Sequence, residues 1–289
     1  MPPFWTSIVV LSAVQGVLVA LPGAFALPRL TRLRSPRWAL IPPLSVAGFV
    51  LGARAAERAS AQGLTYLALC AVPVLAAVAL GWLLWRPRPR WALIVAPLFV
   101  LAWLNRGGLA GETAALALSG LSCVALGVLL ASVTPPRWLA AGVVAMAVAD
   151  SVLVISDLLQ RPNDALNAAH PAAGLPRLQS AVFGNAVMGY GDLFIAGALG
   201  GLLAATVGRS LQLRAARLTA LLALVFDLLF FFVDELPATV PVAFALLAVT
   251  LTRRREDVPR RRRAPVAAPI ASVGARVARS AAVRRSPSP

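Results

Sequence analysis

The chain of 289 residues is 59% hydrophobic and 13% charged, with a mean hydropathy of +0.80. Soluble domains run at about 25% charged and 45–50% apolar, so an ordinary soluble domain is excluded. All 27 basic residues are arginine, and against 11 acids they give a net charge of +16. In a soluble protein that excess would point to nucleic acid. Set between long apolar runs, it reports topology and lipid contact instead.

Nine apolar runs follow in chain order: 4–27, 38–53, 63–85, 91–105, 113–133, 138–158, 180–206, 214–234 and 237–252. A membrane span needs about 20 apolar residues, and inside hydrocarbon only helices pair every backbone group of one segment. The short alternating segments of a membrane barrel are absent from the pattern. The expected fold is therefore all-α, a polytopic membrane protein of about nine transmembrane helices over residues 1–252. Six helices fill 1–158, a polar loop 159–179 follows, and three helices fill 180–252. The first run lacks a basic n-region and is longer than a signal-peptide core, so it reads as a retained span.

Arginine placement sets the orientation. The connections 28–37, 86–90, the one bearing Arg137, the one bearing Arg209, Arg214 and Arg217, and the tail together hold 22 arginines. The alternate connections hold five: Arg54, Arg58, Arg106, Arg161 and Arg177. The positive-inside rule then puts the N-terminus on the exoplasmic side and the C-terminus in the cytoplasm, as an odd number of spans requires. The tail 253–289 is rich in Arg, Ala, Pro and Ser without an apolar period, and reads as disordered. It is expected to attract anionic lipid headgroups; nucleic acid is not an expected partner, since no aromatics interleave the arginines. Arginine without lysine and abundant alanine suggest a GC-rich, bacterial source, hence a plasma-membrane location.

Cys70 and Cys123 both lie in apolar runs with no CxxC spacing, and His170 stands alone in the polar loop. No metal site, disulfide framework or cofactor is expected from that set. The informative residues are acids inside apolar runs, where ionisable groups are expensive and point to function. Asp150 lies about midway along the sixth run, Asp192 about midway along the seventh, and Asp227 well inside the eighth. Asp157 follows Asp150 by seven residues, on the same helical face two turns nearer the exoplasmic end. Asp234 and Glu235 sit at a span end, where water reaches them. If the sixth and seventh helices run antiparallel, Asp150 and Asp192 meet at similar depth. Two close carboxylates share one proton, so one can activate water while the other acts as acid.

The segment Met188-Gly189-Tyr190-Gly191-Asp192-Leu193 resembles the GxGD motif of the presenilin and signal peptide peptidase family. That family has nine spans, with one catalytic aspartate on the sixth and the GxGD aspartate on the seventh. Its third mark, Pro-Ala-Leu, opens the ninth span, where this chain has Pro237-Ala238-Thr239. Two departures stand out: Ala149 precedes Asp150 where the family has tyrosine, and Thr239 replaces leucine. The resemblance implies an intramembrane aspartyl protease with Asp150 and Asp192 as its dyad. Asp157 competes for the first role and is set aside because its depth does not match Asp192. Asp227 is either a polar contact to a neighbouring helix or a group that tunes the dyad. Backbone near Pro237-Ala238-Thr239 would hold an extended substrate by strand addition. Transmembrane peptides or signal-peptide remnants are the implied substrates, reached through a hydrophilic cavity beside the sixth and seventh spans. Two rival readings use the same residues: a proton-coupled transporter relaying through Asp150, Asp192 and Asp227, and a non-catalytic scaffold of this fold.

Overall fold

The computed structural model describes residues 3–24, 30–169, 171, 174–233 and 236–262. The first helix, α1 (Phe4–Ala20), starts after Pro3 and ends before Leu21-Pro22, two positions where proline fits a helix boundary. Ser7, Ile8, Leu11, Ser12, Gln15, Leu18 and Val19 form its buried stripe, at the 3–4 residue spacing of one helical face. α2 (Ile41–Val78) runs on through a π-helical turn at Ala79–Leu83. Next come α3 (Val95–Leu104), α4 (Leu109–Val133), α5 (Pro136–Ile155) and a short α6 (Gln160–Ala168). A hairpin of β1 (Ser180–Phe183) and β2 (Ala186–Gly189) leads directly into α7 (Tyr190–Thr206). α8 (Arg209–Asp227) and α9 (Val240–Arg262) complete the order.

Ala61–Leu83, Leu109–Val133 and Pro136–Ile155 are long and apolar enough to cross a membrane. Shorter apolar helices cover Phe4–Ala20, Pro89–Leu104, Tyr190–Thr206 and Val240–Thr252. The chain is thus helical, as expected, with three helices of full membrane-crossing length among the described residues.

Four expectations need correction. The connection between the second and third runs is helical, because 54–62 is dominated by Ala, Arg, Glu and Gln, all compatible with a helix, and holds no proline. At 1.5 Å per residue the 38 residues of α2 follow a path of about 57 Å, well beyond one bilayer core. The loop 159–179 is partly ordered by α6. The seventh run does not begin as helix: its first ten residues form the hairpin, paired from Ser180↔Gly189 to Phe183↔Ala186. Its Gly184-Asn185 turn carries a positive φ of 58° at Gly184, a conformation glycine adopts without steric cost. Finally, α9 continues to Arg262, past the expected start of the tail at 253. Residues 263–289, His170, Asp234 and Glu235 lie outside the described residues.

Residues 1–249 form one compact unit and 250–289 a second. In the first, α7 fits against α4 through glycines. A Cβ on Gly197 would stand 2.4 Å from the Cys123 carbonyl oxygen, and one on Gly201 2.7 Å from that of Gly127. Backbones this close are how helices associate in lipid, where apolar side chains gain little by leaving hydrocarbon. α1 meets α8 in the same way, with Gly16 against Ala216 and Ala220.

Polar contacts tie the arginine-bearing connections together at their ends. Ser35 N–H donates to the Val133 carbonyl at 2.9 Å. Arg209 donates to the Ala20 carbonyl and stacks 4.6 Å over Trp85, just before Arg86. Gln212, buried, donates to Val19 O and Pro22 O at 2.9 and 3.0 Å, satisfying carbonyls left free at the end of α1. The arginine-poor connections also meet each other. Arg106 donates to the Gly174 carbonyl, Glu112 accepts from Gly184 N–H at 2.7 Å, and Ser7 accepts from Asn185 N–H at 3.4 Å.

Candidate functional site

Asp150 occupies the last third of α5 and is 8% exposed. Its Oδ2 accepts a hydrogen bond from Thr239 Oγ1 at 2.7 Å, and Thr239 is fully buried. Thr239 stands immediately before α9, and its own carbonyl accepts from Ala243 N–H at 3.2 Å. Pro237 opens this segment, and its carbonyl accepts from Val240 N–H. The residues Pro237-Ala238-Thr239 are thereby held as a bend that delivers one hydroxyl to Asp150.

Asp192 is the third residue of α7, not midway along a helix, because the hairpin takes up the first ten residues of its run. Gly189 is the N-cap residue, and its N–H donates to Asp192 Oδ2 at 3.1 Å. An acid in the first turn of a helix also meets the positive end of the helix dipole. Gly191 faces α5: a Cβ there would lie 3.8 Å from Met146 Cε, one turn before Asp150 on the same face. Asp150 lies near the C-terminal end of α5 and Asp192 in the N-terminal turn of α7, both nearer a helix end than the expected mid-span positions.

Tyr190 is anchored away from the aspartates, its hydroxyl 2.6 Å from Ser122 Oγ in α4. Cys123 donates its thiol to the Tyr190 carbonyl at 3.8 Å, so the start of α7 is fixed on α4 from two sides.

The other two acids are placed apart from this pair. Asp157 follows the end of α5 with φ of 53°, and it lines a cavity of about 770 Å³ together with Ser151, Ile155, Phe226, Phe232, Leu236, Pro237 and Val240. This cavity is largely apolar and lies between the ends of α5 and α8 and the start of α9. Ser151 adjoins Asp150, and Pro237 and Val240 flank Thr239, so the cavity borders the site. Asp227 ends α8 with its Oδ2 2.5 Å from Ser12 Oγ of α1, a contact between neighbouring helices.

Sequence reading missed Gln15, Ser12, Ser122 and Glu112. All four are polar residues in or at the edge of apolar runs, and that was the available signal. Gln15 donates to the Ala238 carbonyl, and Glu112 holds the hairpin turn. No group of three or more His, Cys, Asp or Glu side chains placed to hold a metal ion occurs among the described residues.

Comparison of the chain with protein-family models, curated proteins and solved structures finds no match.

Proposed function

We propose that the chain is an intramembrane aspartyl protease similar to presenilin and signal peptide peptidase, with nine spans and Asp150 and Asp192 as its dyad. The observation that carries this reading is the hydrogen bond from Thr239 to Asp150, which joins two of the three motif-bearing segments. The third segment lies against the same end of α5, with Gly191 facing Met146 one turn before Asp150.

Thr239 holds Asp150 through Oδ2, and Gly189 N–H holds Asp192 through Oδ2, which fixes how the two carboxylates are presented for reaction. With one proton shared by the pair, the ionised carboxylate takes a proton from water as its oxygen bonds to the scissile carbonyl carbon. The protonated partner gives its proton to the carbonyl oxygen, forming a neutral gem-diol. Collapse breaks the C–N bond, with a proton passed to the leaving nitrogen, and yields a carboxylate and an amine. No metal or organic cofactor takes part.

The apolar cavity beside Asp150 suits an apolar chain segment. Substrates are transmembrane peptides of type II orientation or signal-peptide remnants, in keeping with an exoplasmic N-terminus in a bacterial plasma membrane. The arginine-rich tail associates with anionic lipids. Purified protein and a reporter transmembrane peptide test the dyad. Asp150→Asn and Asp192→Asn are each expected to lose cleavage at least a thousandfold. Full activity in either variant overturns the shared-proton mechanism, and a proton flux surviving in both points to the transporter.

A further inference from the structure

Two contacts of a single side chain join the supports of both aspartates. Gln15 lies in α1 with no solvent exposure. Its Nε2 donates to the Ala238 carbonyl at 3.1 Å and to Met188 Sδ at 3.6 Å. Ala238 directly precedes Thr239, whose hydroxyl holds Asp150; Met188 directly precedes Gly189, whose N–H holds Asp192. Carbonyl and thioether only accept, so the amide must present its nitrogen to them and its orientation is fixed. The Gln15 oxygen is left buried with no hydrogen-bond partner. An unpaired amide oxygen in a dry interior is unfavourable, and leucine, of similar size, would fill the space without it. The feature that leucine could not supply is the donor.

We propose that Gln15 is a positioning residue for the dyad. It clamps the residue before each aspartate's hydrogen-bond donor, and so sets the spacing of Asp150 and Asp192 without touching either. As a statement about cleavage rate, this rests on the protease reading above; as a statement about geometry it does not.

Two measurements on full-length protein in detergent test it. In reporter cleavage, Gln15→Leu lowers kcat at least tenfold with KM within twofold of wild type. Gln15→His restores an N–H at similar reach and recovers kcat to within threefold, and it serves equally if Gln15→Leu does not fold. The second measurement needs no activity. In an Asp150→Cys/Thr239→Cys variant, a one-carbon bis-thiosulfonate bridges the thiols, and adding Gln15→Leu slows bridging at least fivefold. Unchanged bridging overturns the proposal whether or not the protein cleaves, as does an unchanged kcat in a wild type that cleaves. Slowed bridging in a protein that never cleaves sustains the clamp and removes the protease reading instead.

Discussion

The Thr239 hydroxyl occupies one oxygen of Asp150 at 2.7 Å, and both residues are buried. A hydrogen bond to an ionisable group contributes about 1.5–3 kcal/mol, more than a neutral pair. Thr239→Val keeps the shape and removes the donor, so it is expected to lower kcat by roughly tenfold to a hundredfold. Thr239→Ser, which keeps the donor, retains most of the rate. Kinetics of the two variants beside wild type check this, and equal rates for both would detach Thr239 from the chemistry. Thr239 makes its polar contact to Asp150 at the position where a Pro-Ala-Leu sequence would carry leucine. Asp150, Asp192 and this segment were legible from sequence because acids and prolines are conspicuous in apolar runs. Gln15 was not, since a neutral amide in a span has no pattern until its neighbours are placed.

Between elements, the close fit of α4 and α7 places the site, because α7 carries Asp192 and its start is fastened to Ser122 and Cys123. Gly197 is one of its tight points: a Cβ there meets the Cys123 carbonyl at 2.4 Å, and backbone cannot swing aside as a side-chain tip can. Gly197→Val is expected to destabilise by at least about 3 kcal/mol, at the upper end for overpacked interiors. Gly208→Ala, where a Cβ meets nothing within 4 Å, serves as the control and stays near neutral. Unfolding in detergent by denaturant titration measures both, and equal stability would mean the helices do not approach this closely. The hairpin was the element missed. Its Ser-Ala-Val-Phe and Ala-Val-Met-Gly segments merge into an apolar run, and only the Gly184-Asn185 pair marks the reversal. The consequence reaches the site: a glycine that ends a strand caps the helix and hands its N–H to Asp192.

For the molecule as a whole, connections distant in sequence are joined by polar contacts: Ser35 with Val133, Arg209 with Ala20 and Trp85, Arg106 with Gly174, and Glu112 with Gly184. Span number was less legible, because composition does not say where a helix ends: α2 merges two runs, and the hairpin shortens another. What the whole arrangement claims is that water is added across a peptide bond in an apolar segment. Wild-type protein incubated with a synthetic transmembrane peptide in H2(18)O, followed by mass spectrometry, measures this directly. The account predicts two fragments from a cut inside the apolar stretch, the new carboxylate carrying a single 18O from solvent. A peptide left intact under conditions where the protein remains folded would contradict it.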